Sequence, residues 1–212
     1  MKKEKKKMKI KAILFDLDGV LVDTYKVWYH LFNQTLKHFG YQPINLKTFA
    51  QNWGQSTEED VQIFMPEVKL SDVVKYFSEN FSKFINYMKV NPEAEAVLKK
   101  LKKSGLKIGC ITNSHKNITK LEIRKSDLSD LIDIIVTADD VKRPKPDPEM
   151  LLKACKKLKV KTNEIVFIGD TPTDLKTAKS AQCTFIGYKM QTKLSIKKIA
   201  ELIPLIKRKF SL

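Results

Sequence analysis

The sequence predicts an α/β fold, in which a doubly wound parallel sheet carries a group of helices inserted after its first strand. Three observations predict it: short apolar runs, helical patterns that alternate with them, and a long helical interruption near the N-terminus. Runs that are apolar on both faces are typical of parallel strands covered by helices. Their alternation with helices indicates a doubly wound sheet, because parallel strands are usually joined by a helical crossover.

Five apolar runs are the predicted strands, and amphipathic patterns separate them. The strands are predicted at 10–15, 107–112, 133–137, 164–169 and 184–188. The core helices are predicted at 92–103, 114–125, 147–158, 171–180 and 194–207. The first of these helices has clear boundary signals. Pro92 occupies an early helical position, where its missing N–H costs no hydrogen bond, and Gly105 lies just past the end.

Between the first two strands, four helical patterns occur without a convincing strand. They are predicted at 27–39, 45–53, 57–64 and 70–88. One helix is enough to connect two parallel strands, so the additional helices predict a separate helical unit. We therefore predict a core domain formed by 1–23 and 90–212, and a helical cap domain at 24–89 above the C-terminal end of the first strand.

Composition restricts the classes of protein to which the chain can belong. Its 212 residues suffice for one α/β domain with a modest insertion. No apolar run is long enough to cross a bilayer, and the basic N-terminus leads into a predicted strand, which indicates a solvated lysine tail rather than a signal peptide. The three cysteines form no zinc or disulfide pattern, so we expect a reducing, cytoplasmic setting.

The formal net charge of +16 could indicate a nucleic-acid surface or only lysine-rich exposed faces. The lysines are scattered along the chain, and no nucleic-acid-binding motif is evident. Arginine, which suits bidentate phosphate recognition better than lysine, occurs only at Arg124, Arg143 and Arg208. We therefore expect no nucleic-acid partner.

Acidic residues follow two of the predicted buried strands. Asp16 and Asp18 come directly after the first strand, and alternate residues of an extended chain point to the same side. Asp170 follows the fourth strand, with Asp174 one helical turn later. Carboxylates at the carboxyl edge of a parallel sheet can bind a hard cation such as Mg²⁺. The alternative for each aspartate is a turn or the cap of a helix.

Two further polar segments lie at the same predicted edge. Thr112 ends the second strand, and the backbone from Asn113 onward could either present N–H groups to an anion or only begin a capped helix. Lys145 lies between Pro144 and Pro146, which fix its backbone and suit a lysine that directs its charge into a site, although a surface turn would also explain it. Ligands of open α/β sheets bind at this edge.

The segments DLDGVLVD at 16–23, ITNS at 111–114, KPDP at 145–148 and GDTPTD at 169–174 resemble, in type and order, the motifs of haloacid dehalogenase superfamily hydrolases. The chain is similar to the phosphoglycolate phosphatase and β-phosphoglucomutase-like subgroup, which has a helical cap inserted into a Rossmann-like core. The resemblance covers nearly the whole chain beyond the tail. It implies a Mg²⁺-dependent phosphatase of small phosphomonoesters, such as phosphoglycolate or a sugar phosphate, acting through an aspartyl-phosphate.

The resemblance also implies a role for each matching residue. Asp16 would be the nucleophile and Asp18 the general acid and base, which is chemically sound because a carboxylate nucleophile divides one difficult displacement into two. The phosphate would be bound by Thr112, Asn113 and Lys145. The Mg²⁺ ion would be bound by Asp16, Asp18, Asp170 and Asp174, the last directly or through water.

Substrate choice is expected in the predicted cap, where Gly54, Gln55 and Thr57 belong to a loop that resembles one closing over the site in this family. Related sugar-phosphate mutases usually carry an arginine near the position of Thr57 and a histidine near that of Trp28. Neither is present, which argues against a phosphosugar mutase. A pyrophosphatase or nucleotidase on the same residues remains open.

Two alternatives lie outside this class. They are a basic nucleic-acid-binding protein on an inactive scaffold and a protein-interaction module with a vestigial site. The grouped acids argue against both alternatives, because burying carboxylates that have no functional role would cost free energy. We expect the partner to be a small phosphorylated metabolite, with no membrane partner, and the chain to be a monomer or a weak homodimer.

Overall fold

The computed structural model describes residues 8–211, so the predicted lysine tail at 1–7 lies outside the described residues. The strands are β1 (Met8–Lys9), β2 (Ala12–Asp16), β3 (Val22–Asp23), β4 (Lys89–Val90), β5 (Lys107–Ile111), β6 (Ile134–Val136), β7 (Ile165–Gly169), β8 (Thr184–Tyr188), β9 (Ser195–Ile196) and β10 (Phe210–Ser211). Six of them form one parallel sheet in the order β6-β5-β2-β7-β8-β9, which confirms the predicted fold class.

The helices are α1 (Tyr25–His38), α2 (Leu46–Gln51), α3 (Thr57–Phe64), α4 (Leu70–Phe84), α5 (Ala94–Lys103), α6 (Lys116–Ser126), α7 (Glu149–Leu158), α8 (Pro172–Ser180) and α9 (Leu202–Lys209). Among residues 8–211, no helix has both the length and the hydropathy that a bilayer crossing requires. Helices cover both faces of the sheet, as a doubly wound fold requires.

The alternation of side chains along β2 creates the two halves of the core. Ile13 and Phe15 belong to one buried cluster, which includes Leu98 of α5. Leu14 belongs to a second cluster, on the opposite face, with Leu151 of α7. Successive side chains of a strand point to opposite faces, so β2 must be apolar at every position when helices lie on both sides.

The register of the strands places their carboxyl ends at one edge of the sheet. Asp16 at the end of β2 pairs with Ile111 at the end of β5, and Phe15 pairs with Ile168 of β7. Thr112 directly follows Ile111, and Asp170 directly follows Gly169 at the end of β7, so these two residues lie on either side of Asp16. This edge is where the predicted site residues meet.

The helices α1 to α4 lie between β3 and β4, in the segment predicted to be helical. β3 and β4 pair antiparallel, with Val22 opposite Val90, so the chain leaves the core and returns to it at one place. Phe77 and Phe81 of α4 are fully buried and contact the ring of Trp28 on α1 edge-on. The inserted helices are therefore joined by aromatic contacts, within the same buried cluster that contains Ile13 and Phe15.

Five short strands were not predicted, and one predicted helix is wrong in part; the unpredicted strands are β1, β3, β4, β9 and β10. The predicted helix at 194–207 is wrong over its first half, because Ser195–Ile196 forms β9 and the helix α9 begins only at Leu202. The N–H of Gly187 donates to the carbonyl of Leu194 at 2.9 Å. The segment therefore supplies hydrogen-bond partners to backbone groups at the outer edge of β8. An unpaired strand edge leaves backbone groups unsatisfied, and this long-range pairing outweighs the local helical pattern.

Two glycines with positive φ allow close approaches at the site edge. Gly19, at φ +87°, follows Asp18, and a Cβ there would lie 2.1 Å from Oδ2 of Asp170. Gly54, at φ +88°, lies between α2 and α3, and a Cβ there would lie 2.7 Å from Cγ2 of Thr171. Through Gly54, the inserted helices contact the core beside Asp170.

We predict that Gly54→Ala destabilises the fold more than Gly40→Ala does. Both glycines have left-handed backbones, but a Cβ at Gly40 would meet nothing within 4 Å. Gly40→Ala should therefore cost only the backbone strain of about 1–2 kcal/mol. Gly54→Ala should cost at least about 1 kcal/mol more, because Thr171 must move. Urea denaturation measures the free energy of unfolding of each variant. Equal losses of stability would show that the loop containing Gly54 does not pack against Thr171.

Candidate active site

Asp16, predicted to be the nucleophile, ends β2 and is almost wholly buried. Its Oδ1 accepts hydrogen bonds from the Lys145 ammonium at 2.8 Å and from the N–H of Leu17 at 2.9 Å. Both hydrogen bonds that it receives from residues 8–211 fall on Oδ1. Because Asp16 also lines a cavity beneath the inserted helices, its Oδ2 is available to a ligand there.

Three of the predicted metal ligands come together. Asp16, Asp170 and Asp174 each place one carboxylate oxygen within 4.8 Å of the others. The buried Lys145 ammonium lies 2.8 Å from Asp16 and 2.7 Å from Asp174. With all three acids ionised, one ammonium faces three carboxylates, so the cluster carries an excess of negative charge.

This excess shows in the pKa values of the cluster. Burial, and then the charge of Asp174, raises the pKa of Asp16 well above its usual range, although Lys145 opposes the shift. Burial and Asp174 likewise raise the pKa of Asp170 to about 7. The pKa of Lys145 is raised by Asp16 and Asp174 despite its burial, so Lys145 stays charged. The cluster therefore favours either bound protons or an added cation.

Thr171, rather than Asp170, caps helix α8. Thr171 Oγ1 accepts a hydrogen bond from the N–H of Asp174 at 3.2 Å, and Oδ2 of Asp174 accepts from the Thr171 N–H and hydroxyl at 3.1 and 2.6 Å. This reciprocal pair is a capping box. Asp174 therefore has one oxygen engaged by the cap and the other by Lys145. The alternative in which Asp170 only caps a helix is wrong.

Asp170 has an acceptor that no described residue uses. Its Oδ1 is buried and receives no hydrogen bond from residues 8–211. A hydrogen bond from Trp53 lowers the pKa of this carboxyl, but less than burial and Asp174 raise it. An orphaned buried oxygen beside two further carboxylates fits a hard divalent cation, which prefers oxygen ligands. The residues present therefore suit Mg²⁺.

Asp18 lies outside the three-carboxylate cluster and has its own set of donors. Oδ2 accepts from the hydroxyls of Thr112 and Ser114, each at 3.0 Å. Oδ1 accepts from the indole N–H of Trp28 at 3.2 Å and from the Thr24 hydroxyl. Trp28 and Thr24 belong to the inserted segment, so both domains of the prediction contribute to the position of Asp18. A carboxyl group held in this way can give and take a proton at a fixed place.

The predicted phosphate-binding residues surround the two aspartates. Thr112 is buried, and its hydroxyl also accepts from the N–H of Ser114 at 3.0 Å. The Asn113 side chain is directed to Lys145: Oδ1 accepts from the Lys145 N–H at 2.9 Å, and Nδ2 donates to the Lys145 carbonyl at 3.0 Å. Nδ2 also donates to the carbonyl of Gly54 at 3.4 Å. The Asn113 side chain thus positions the Lys145 loop. The backbone N–H of Asn113 takes no part in these contacts and can serve an anion.

Sequence reasoning missed Glu122. This residue of α6 is fully buried, and its carboxyl group interacts with the carboxyl group of Asp18. Burial, followed by the charges of Asp18 and Asp16, raises the pKa of Glu122 well above its usual range, which favours its protonated form. The sequence did contain a signal for this residue. Glu122 follows the buried Ile118 by four residues, which places an acid on the apolar face of the helix.

The three predicted cap residues line the same cavity as Asp16 and Asp18. Gly54, Gln55 and Thr57 lie on the side of the inserted helices, and Asp16, Asp18, Thr112 and Lys145 lie on the side of the sheet. Trp53, another residue of this wall, packs against the rings of Tyr25 and Phe49 with centroids 5.1 and 5.7 Å away. Most of the sequence-predicted site residues therefore line one cavity between the two parts of the chain, and Asp170 and Asp174 lie outside this lining.

Comparison with known proteins agrees with this geometry. A pyrophosphatase PpaX of Bacillus mycoides is 29% identical, with 79% of this chain and 78% of that protein covered. A phosphoglycolate phosphatase of Nitrosospira multiformis is 28% identical, with 84% and 85% covered. The crystal structure of a β-phosphoglucomutase from Clostridium difficile has the same fold, with a TM-score of 0.83, 23% identity, and 94% and 96% of the two chains covered.

The predicted family is confirmed by a further match. Residues 13–188 match the model of the haloacid dehalogenase-like hydrolases, a range that contains Asp16, Thr112, Lys145, Asp170 and Asp174. The chain belongs to the haloacid dehalogenase-like hydrolase family and is an enzyme of that class.

Proposed function

We propose that this enzyme is a Mg²⁺-dependent phosphatase of small phosphomonoesters, the class that includes phosphoglycolate and sugar phosphates. The observation that carries the proposal is the acidic cluster of Asp16, Asp170 and Asp174, bridged by Lys145 and adjoining a separately held Asp18. Phosphoryl transfer to a carboxylate requires a nucleophile, a proton-transfer group and a cation site close together. All three would lie at one edge of this sheet.

In the first step, Oδ2 of Asp16 attacks phosphorus. The bond from phosphorus to the ester oxygen breaks, and Asp18, in its protonated form, gives its proton to the departing alcohol. In the second step, Asp18 takes a proton from water as the water oxygen attacks phosphorus. The bond from phosphorus to Asp16 then breaks, which releases phosphate and restores the Asp16 carboxylate.

The cation would be held by Asp16, Asp170 and a backbone carbonyl near Asp18. Both oxygens of Asp174 are already engaged by Lys145 and Thr171, which favours a contribution of Asp174 through water. When bound, Mg²⁺ supplies positive charge that lets the anionic nucleophile and the anionic phosphate approach each other.

Phosphate binding follows from the donors around Asp16. The Lys145 ammonium and the Thr112 hydroxyl lie on the side of the cavity formed by the sheet edge. Together with the backbone N–H of Asn113, they would stabilise the charge that builds up on the phosphoryl oxygens. Asn113 fixes the Lys145 backbone by two hydrogen bonds, so the lysine requires little reorganisation during the reaction.

We propose that residues 24–89 act as a cap that covers this site and chooses the substrate. Support comes from Trp28 and Gly54, which link the inserted segment to Asp18 and to Asn113. A pyrophosphatase is a second candidate, because the relative from Bacillus mycoides has that name. The phosphosugar mutase alternative is disfavoured by Thr57, which provides no charge for a second phosphate.

We predict that Asp16→Asn lowers kcat for p-nitrophenyl phosphate by at least about 10³-fold, since an amide is a poor nucleophile. The measurement is phosphate release in the presence of Mg²⁺, with Asp72→Asn as a control at an exposed aspartate of α4. The control should retain wild-type activity. Retention of activity by Asp16→Asn, or no phosphate release by the wild type, would reject the proposed function.

We predict a pH-dependent stabilisation by Mg²⁺. In the metal-free protein, the raised pKa of Asp170, about 7, means that the folded chain keeps a proton that the unfolded chain has released. This contribution to stability is complete below about pH 4 and is lost as the pH rises through 7. Mg²⁺ competes with that proton, so it should raise Tm more at pH 8 than at pH 5.5.

At 100 times its Kd, the ion should contribute about 2.7 kcal/mol, or roughly 5–10 °C in Tm for a chain of this size. Thermal denaturation at both pH values measures the effect. Asp170→Asn should remove most of the Mg²⁺-induced shift, whereas Asp72→Asn should keep it. An equal shift at both pH values, or an unchanged shift in Asp170→Asn, would contradict the assignment of the cation site.

A further inference from the structure

The wall of the cavity opposite the catalytic residues is aromatic. It is formed by six rings of the inserted segment: Trp28, Phe32, Phe49, Trp53, Phe64 and Phe77. Several of these rings contact one another, with centroids 5.3 Å apart for Trp28 and Phe77, and 5.4 Å apart for Phe32 and Phe64. Because the rings already pack together, the wall is formed before any substrate enters.

Positive charge is confined to the catalytic side of this cavity. Of the cavity-lining residues within 8–211, only Lys145 carries a cationic side chain, and its ammonium is paired with Asp16 and Asp174. The ionisable residue on the wall of the inserted segment is an acid, Asp60. A second anionic group on a substrate would therefore face an apolar wall and an acid, with no cation to pair with.

The N-terminus of α3, which reaches this cavity at Thr57, is also compensated. Ser56 caps the helix and forms a capping box with Glu59, whose Oε2 accepts from the Ser56 N–H at 2.8 Å. Glu58 and Glu59 lie in the first turn. Acids in this position neutralise the positive end of the helix dipole, so α3 has little attraction left for an anion.

Two acceptors on this wall are without donors. The side-chain amide of Gln55 donates through Nε2 to Asn52 at 2.9 Å, and its Oε1 is buried with no partner among the described residues. The Asp60 carboxyl has no hydrogen-bonding or ion-pairing partner within 8–211, and burial, then Glu59, raises its pKa to about 8. A buried acceptor such as Oε1 of Gln55 is costly unless a ligand supplies a donor.

On the basis of the proposed phosphatase activity, we infer that the substrate is the phosphate monoester of an alcohol with an apolar body, a hydrogen-bond donor and no second anionic group. A hydroxyl or an ammonium would serve as the donor to Gln55 and Asp60. The apolar body would pack on the aromatic wall, and an ammonium would also be attracted to the ring faces. Pyrophosphate and phosphoglycolate, whose leaving groups are anionic, should be poor substrates of this enzyme.

A matched series of phenyl phosphates tests the inference. The para substituents would be 2-hydroxyethyl, 2-aminoethyl and carboxymethyl, which change the charge of the leaving group at similar size. We predict that kcat/KM for the hydroxyl and ammonium esters exceeds that for the carboxylate ester by at least about 10-fold, equivalent to 1.4 kcal/mol. Phosphoglycolate and pyrophosphate should rank with the carboxylate ester. A carboxylate ester or pyrophosphate that is turned over best would overturn the inference while leaving the phosphatase activity intact.

Binding to Asp16→Asn separates this inference from the proposed function. Calorimetric titration of that variant with the same three esters measures the preference of the cavity without turnover. If the wild type hydrolyses none of them while the variant binds the hydroxyl ester more tightly than the carboxylate ester, the proposed function fails and the cavity preference stands. If the variant binds the carboxylate ester as tightly as the others, the preference itself is refuted.

We predict that Thr57→Arg relaxes the discrimination, because it supplies the missing cation at the cavity wall. Its kcat/KM for the carboxylate ester should rise by about 10-fold, with no rise for the hydroxyl ester. Gln62→Arg is the matched control, since it adds the same charge at an exposed position of α3. An equal gain in both variants would attribute the effect to net charge and count against the cavity wall.

Discussion

The buried ammonium of Lys145 is the interaction on which the site depends. It lies between Asp16 and Asp174, at 2.8 and 2.7 Å, in a place where unpaired carboxylates would repel each other and lose their hydration. A buried lysine is itself costly, and these two partners keep it charged. The pairing is still incomplete, because Asp170 adds a third carboxylate. That remaining charge makes the edge of the sheet receptive to a divalent cation.

The fold supplies this arrangement through the order of its strands. β2 lies between β5 and β7, so Asp16 has one neighbouring strand from each half of the core sequence. The pairing of β3 with β4 then returns the inserted helices to the same edge. Asp18 accepts hydrogen bonds from both sides, from Thr112 of the core and from Trp28 of the insertion. Movement of the inserted segment would therefore change the surroundings of Asp18, the proposed proton-transfer group, directly.

The two sides of the cavity differ in chemistry. The sheet edge carries the charged groups, which suit a phosphoryl group and a metal ion. The facing wall is aromatic, with Asp60 and Gln55 as acceptors and without a cationic side chain among the described lining residues. Relatives with the names pyrophosphatase and phosphoglycolate phosphatase share the family, but family membership fixes the charged side only. In the proposed function, the inserted helices would decide the substrate preference.

The sequence alone determined five of the six strands of the parallel sheet, the helical insertion and the set of acids at the sheet edge. Those features follow from local periodicity and from the rule that parallel strands end on one side. Tertiary structure alone decided which groups pair: the cap formed by Thr171, the engagement of both oxygens of Asp174, the burial of Glu122 and the conversion of 195–196 from predicted helix to edge strand. Each depends on contacts between side chains or backbone groups far apart in the chain, which periodicity does not encode.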